Sequence, residues 1–213
     1  MFLASKSPQR KALLEALGIG FEIMLPDYVE DDQPGEPPAV QVERHSRGKA
    51  LSVINSLPAG AAQVAVLGVD TMVAVDGRAL GKPADEEGAL AYISLLSGRT
   101  HEVFSGLTLL VPASPAGGEG RRHSGSEYVE LTGHAVTGVR FAKIPPLEIE
   151  QYISLGEWRG RAGAYAIQGR ASAFVEEVNG DYTNVVGLPV PLLVSFMRKA
   201  GIWPPAGWAL VRP

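Results

Sequence analysis

The chain contains no cysteine, so disulfide frameworks, cysteine-ligated zinc and thiol nucleophiles are excluded together. It has no run of about 18 uninterrupted apolar residues, which excludes a helical membrane span. The amino terminus, Met1-Phe2-Leu3-Ala4-Ser5-Lys6, meets a Ser-Pro pair at once. That leaves no room for a basic segment followed by the apolar stretch of a signal peptide, and a cytoplasmic protein is expected. Positive charge is also short: 19 Lys and Arg stand against 23 Asp and Glu, a formal net charge of -4. Such a surface has no basic field to track a DNA or RNA backbone. A polyphosphate ligand would have to be held by a few local cations, which makes individual lysines informative.

Several catalytic signatures are absent as well. His45, His101, His123 and His134 are scattered and do not have the helical spacing of a paired-histidine zinc site. There is no serine elbow with a credible triad, no Gly-Lys-Ser/Thr phosphate loop and no glycine-rich dinucleotide motif. A small-molecule kinase is the least favoured class on that ground.

What the sequence does have is 213 residues with 46% hydrophobic content, enough for one large domain or two small lobes sharing a core. Strand-like and helix-like patterns alternate, as in an α/β domain. Ser7 and Pro8 open a first helix whose stripe is Leu13, Leu14 and Leu17, and Gly18 closes it. Residues 21–25 read as a strand, 26–38 as a Pro- and acid-rich loop, and 39–56 as a helix. A short strand at 64–67 precedes Asp70, and residues 72–75 pair across the Asp76-Gly77 turn. A helix spans 85–96 and stops at Ser97-Gly98. Two long strands at 103–111 and 128–141 flank a Gly/Pro/Ser/Arg-rich linker at 112–126, expected to be a mobile hairpin loop. A helix near Pro146, a strand at 173–178 and a helix at 190–200 complete the pattern. Residues 1–202 are expected to form one domain, with 203–213 as a tail.

Hydrolysis of a triphosphate needs carboxylates to hold a divalent ion, basic groups for the remaining phosphate charge, and an aligned water. Asp70 follows a buried run and stands at a strand end, where ligands approach α/β sheets, although it could equally cap a turn. Lys82 lies between Gly81 and Pro83 in a stiffened loop and Lys49 near the end of a helix; taken alone, both suit solvent or the helix dipole. Glu30, Asp31 and Asp32 crowd carboxylates into one loop, either solvated or able to share a cation. Ser5, Ser7 and Arg10 bracket a helix N-terminus that suits an anion, or simply cap it. Gln168 offers a donor and an acceptor to a base edge, or to a local network.

Seven segments in order resemble one family closely, the Maf nucleoside triphosphate pyrophosphatases, also described as septum formation inhibitors. They are LASKSPQR at 3–10, RGKA at 47–50, LGVDTMV at 67–73, LGKP at 80–83, LLSGRTHEVFSG at 95–106, RAGAYAIQG at 161–169 and NGDYTNVVGLP at 179–189. The resemblance implies an elongated α/β fold with a mixed sheet and two lobes around a nucleotide-binding cleft. It also implies hydrolysis of a nucleoside triphosphate to monophosphate and pyrophosphate with a divalent cation, Mg, Mn or Co, held by Asp70 and Glu30. Asp70 matches the family's proton acceptor, Glu30 a second active-site carboxylate, and Lys49 and Lys82 its phosphate-binding lysines. Arg10 matches a second basic residue of the family's Ser-Pro-Arg-Arg motif, and Ser5 an N-terminal phosphate contact. Thr71 and Gln168 match two of three selectivity positions of the dTTP/UTP branch, whereas Gln9 replaces that branch's arginine at the third. Loss of a guanidinium there could relax base selectivity. A homodimer is compatible with the resemblance. The alternatives are a nucleotide-binding regulator of division without turnover, and an inosine-triphosphate-type pyrophosphatase.

Overall fold

The computed structural model describes residues 1–31, 33, 35–58, 64–113, 121–122 (backbone only) and 128–205. Its frame is a mixed sheet of β1 (Phe2–Ala4), β2 (Glu22–Ile23), β3 (Val66–Val75), β4 (Arg78–Leu80), β5 (Thr100–Pro112), β6 (Arg121–Arg122), β7 (Tyr128–Phe141) and β8 (Val175–Asn179). The strand order is β2-β1-β3-β5-β7-β6, with β4 paired to β3 and β8 to β7. β1 runs parallel to β2 and β3, and every other pairing is antiparallel. The helices are α1 (Pro8–Ala16), α2 (Pro38–Ser56), α3 (Glu86–Leu96), α4 (Pro146–Ser154), α5 (Tyr182–Val186) and α6 (Val190–Lys199). Two 3-10 turns, Ala162–Ala164 and Arg170–Phe174, lie between α4 and β8.

The pleat of β3 sorts its residues between two layers, because successive side chains leave a strand on opposite faces. Val66 packs with Ala50 and Val53 of α2, and Met72 and Ala74 pack with Val42 of the same helix. On the other face the core divides. Leu67 and Val69 join Leu14 of α1 and Leu193, Phe196 and Met197 of α6. Val73 and Val75 join Ala89 and Ile93 of α3 and Ile149 and Tyr152 of α4. β5 and β7 contribute to both clusters, Val103 and Phe141 to one, Leu107 and Leu131 to the other. Two lobes therefore share one sheet.

Two glycines let α2 lie unusually close to that sheet. A Cβ on Gly68 would stand 2.1 Å from the Ser46 carbonyl oxygen, and one on Gly106 2.0 Å from that of Val42. Neither position has room for a side chain.

Several boundaries differ from the sequence expectation. β3 is one continuous strand, and Asp70 lies within it rather than at a strand end. Its pairing with β5 runs unbroken from Val66 opposite Leu110 to Ala74 opposite Glu102, and a lysine partner lets the carboxylate remain inside the strand. The strand expected at 21–25 is only β2, because it pairs with a three-residue neighbour. The strand expected at 173 begins at Val175, after the 3-10 turn. α5 was not anticipated; Asp181 caps it through the Thr183 amide, and Gly187 ends it at φ 118°. Within the 112–126 linker, β6 adds to β7, with Arg121 opposite Glu130. The rest of that linker beyond residue 113, with Asp32, His123 and the tail past residue 205, lies outside the described residues. Among the described residues no helix is long and apolar enough to cross a membrane.

His101 is locked into the lobe formed by α3 and α4. Its ring meets Phe141 and Tyr165 edge-on, Nε2 lies 2.9 Å from the Tyr165 hydroxyl, and the buried Nδ1 has no partner among the described residues. Burial lowers its pKa from 6.5 to about 4. Below its ordinary value the unfolded chain takes up a proton that the folded chain refuses, so this contribution to stability is complete above pH 6.5 and is lost as pH falls towards 4. The loss should approach about 3 kcal/mol. Urea unfolding at neutral and acidic pH should reveal it, and His101→Gln should flatten the dependence; an equally steep acid loss in that variant would place the sensitivity elsewhere.

Candidate active site

The site opens where β3 has a bare edge. β5 covers one side of β3 throughout. On the other side β1 stops with Ala4 opposite Gly68, and β4 begins only with Leu80 opposite Val73. Among the described residues no strand flanks residues 69–72 there, and Asp70 and Thr71 stand in the gap. The pleat sends them apart, Asp70 towards α2 and Thr71 towards α1.

A cleft of about 670 Å³ lies over this gap. Ser5, Ser7, Gln9, Arg10, Glu30, Lys49, Asp70, Thr71, Lys82 and Gln168, all singled out from the sequence, line it, whereas Asp31 does not. They come from the β1–α1 junction, the first turn of α1, the loop before α2, α2 itself, β3, the loop after β4 and the segment between the two 3-10 turns.

Lys49 is the hub of the charged end. Its Nζ donates to Asp70 Oδ1 at 2.6 Å and lies 2.6 Å from Glu30 Oε1, and both the lysine and Asp70 are buried. The lysine thus joins two carboxylates that would otherwise repel. Lys82 Nζ stands 3.8 Å from the other Glu30 oxygen. Partial burial opposes ionisation of Glu30, but the hydrogen bond from Lys49, with the charges of Lys49, Lys82 and His45, outweighs it and holds the carboxyl below its ordinary value.

Arg10 organises the opposite wall. Its Nε donates to the Gly187 carbonyl at 2.8 Å, Nη1 to Ser5 Oγ at 2.9 Å and to the Val69 carbonyl at 3.0 Å, and Nη2 to Thr71 Oγ1 at 3.1 Å. Four of the five N–H groups of a guanidinium are engaged in this way. Burial lowers its pKa, opposed by the charges of Asp70 and Glu30. The sequence suggested a phosphate-binding arginine; the geometry adds that Arg10 fixes Ser5 and Thr71 against the bare β3 edge. Thr71 Oγ1 also lies 2.9 Å from Ser105 Oγ. Gln9 accepts from Ser7 Oγ at 3.2 Å, and its amide NH₂ has no partner among the described residues. Gln168 is exposed at the rim.

The cleft also contains residues that the sequence reading passed over. Lys6, Arg159 and Arg161 add cations, and the buried Arg161 Nε has no hydrogen-bond partner among the described residues. Arg161 opens the RAGAYAIQG segment, so a basic residue beside Gly163 and Gln168 was the available signal. Tyr28 also lines the cleft, and nothing in the sequence singled it out.

An α/β sheet with two carboxylates and several cations gathered at an interrupted strand edge defines a phosphate-handling protein. The family model described as Maf-like protein matches residues 1–200, and the chain belongs to the Maf family. It is 40% identical over 208 residues to the dTTP/UTP pyrophosphatase of Anaeromyxobacter dehalogenans strain 2CP-1, covering 98% of this chain and 96% of the relative. It is 40% identical over 201 residues to the dTTP/UTP pyrophosphatase of Symbiobacterium thermophilum, covering 94% of each. The dTTP/UTP pyrophosphatase of Bacillus pumilus is 36% identical over 204 residues, covering 96% of this chain and 98% of the relative.

Proposed function

We propose that this protein is a nucleoside triphosphate pyrophosphatase that hydrolyses dTTP and UTP to the monophosphate and pyrophosphate. The observation that carries the reading is the gathering of Asp70, Glu30, Lys49 and Lys82 around one charged end of the cleft. The near full-length relatives of that printed name support the base preference.

Asp70 and Glu30 fit a divalent cation. Oxygens from both already converge on one positive atom, Lys49 Nζ. No group of three or more acidic or histidine ligands occurs among the described residues. One or two carboxylates, with the other positions left to water and phosphate, suit Mg or a similar ion. When bound, that ion supplies charge neutralisation and polarises oxygen ligands.

The chain's own groups account for the rest of the reaction. Lys49 and Lys82 hold phosphate oxygens, and Arg10 keeps Ser5 and Thr71 in place along the other wall. Asp70 Oδ1 is bonded to Lys49, whereas Oδ2 has no protein donor among the described residues; it accepts the proton of the attacking water. The water oxygen bonds to the α phosphorus as the bond to the pyrophosphate oxygen breaks, and the lysines stabilise the departing charge.

Product identification tests the reading, with Mg or Mn and a panel of dTTP, UTP, CTP, ITP and 7-methyl-GTP. Monophosphate and pyrophosphate are expected, fastest from dTTP or UTP. Binding without turnover of any nucleotide would overturn the enzyme reading in favour of a regulator, and preference for ITP would reassign the base. Within the same panel, Gln9→Arg should sharpen discrimination of dTTP and UTP from CTP by about tenfold in kcat/KM, by restoring fixed donors beside the α1 N-terminus. Unchanged ratios would remove position 9 from selectivity.

A further inference from the structure

Glu30 lies on a loop without regular structure, yet four residues of that loop are fastened to α2. Ser52 Oγ donates to the Asp27 carbonyl at 2.9 Å, the Tyr28 hydroxyl lies 3.0 Å from His45 Nδ1, Glu30 meets Lys49, and Arg44 Nη2 donates to the Asp31 carbonyl at 2.7 Å. Residues 44, 45, 48, 49 and 52 share one face of the helix, and the loop runs along it in the opposite direction. Val29, between the two inward side chains, is 82% exposed.

Tyr28 adds an apolar ring to these polar contacts. It lies against Gly48, where a Cβ would come within 2.1 Å of a ring carbon. Glycine inside a helix is destabilising relative to alanine, and here it provides the ring's seat. The ring also stands edge-on to buried His45, with centroids 5.7 Å apart. The Lys49 contact holds the Glu30 carboxylate, but it does not by itself fix the backbone that carries it.

We propose that Tyr28 is a positioning residue for Glu30, seated on Gly48 and oriented by His45 so that the loop presents the carboxylate to Lys49 beside Asp70. This rests on the reading of Glu30 as an active-site carboxylate. Tyr28 acts on turnover through Glu30 and leaves the lysine contacts to phosphate in place.

The test is a kinetic cycle with dTTP. Tyr28→Phe keeps the ring and removes the hydroxyl, and it should lower kcat about tenfold with KM within about twofold. Gly48→Ala, which evicts the ring, should lower kcat further, with thermal melts verifying folding. In a Glu30→Gln background Tyr28→Phe should cost nothing more, because the group it positions is already gone. A full tenfold loss in that background, or a rise in KM at constant kcat, would overturn the proposal. Wild-type turnover by Glu30→Gln would overturn the reading of Glu30. An impaired Glu30→Gln beside a fully active Tyr28→Phe would overturn the positioning role alone.

Discussion

Asp70→Asn should lower kcat for dTTP by about 10²- to 10⁴-fold, the range expected when a general base is removed. Asparagine preserves the shape of the buried side chain but cannot take the proton of the attacking water. It also removes one of the two carboxylates that share Lys49, leaving that ammonium to Glu30 alone. Binding of a non-hydrolysable triphosphate analogue, measured by calorimetry, should change far less than turnover, since Lys49 and Lys82 remain. Near wild-type pyrophosphate release by the variant would refute the role given to Asp70.

Gly106→Ala should have the largest effect on stability. The new methyl would meet the Val42 carbonyl at 2.0 Å and the Glu43 amide nitrogen at 2.7 Å, and backbone atoms cannot rotate out of the way as a side-chain end can. Relief requires moving α2 off the sheet, an overpacking cost of about 3 kcal/mol, which for a chain of this size lowers Tm by about 6 to 12 °C. Gly106 stands opposite Asp70 in the β3–β5 register, and Lys49 is on the helix that would move. The variant should therefore lose activity at temperatures where it is still folded. Calorimetric melts with parallel rate measurements would check both effects, and an unchanged Tm would mean that α2 is not held at this distance by the glycine.

Much of this architecture was legible because the relevant signals are local. Ser7 and Pro8 mark the start of α1 through capping chemistry, and Ser7 Oγ does accept from the Arg10 amide. Asp76-Gly77 marks a hairpin because both residues adopt positive φ there, 49° and 74°. The continuity of β3 was not legible. Gly68 and Asp70 interrupt the apolar run; the α2 carbonyl that leaves no room for a side chain at Gly68 and the α2 lysine that pairs with Asp70 are both distant in sequence.

The site divides in the same way. Asp70, Lys49 and Lys82 could be picked by residue type and family resemblance, and they line the cleft with the other chosen positions. The extent to which Arg10 is engaged by the protein depends on the Val69 and Gly187 carbonyls, which carry no sequence signal. The same holds for Tyr28, whose importance lies in the missing side chain at Gly48, 20 positions away in the sequence.

The shortness of β1 has a further consequence. It ends at Ala4, and the next residues turn away into α1 just where β3 still offers free main-chain groups, one of them taken by the Arg10 side chain. Were the extended run two residues longer, the ladder would zip onward past Gly68 and seal the opening with ordinary sheet. Such a chain could keep its hydrophobic core and gain hydrogen bonds, yet have no room for a ligand. The length of this first strand is thus a constraint imposed by the opening rather than by folding, and insertions before Ser5 should be tolerated by the fold far better than by the reaction.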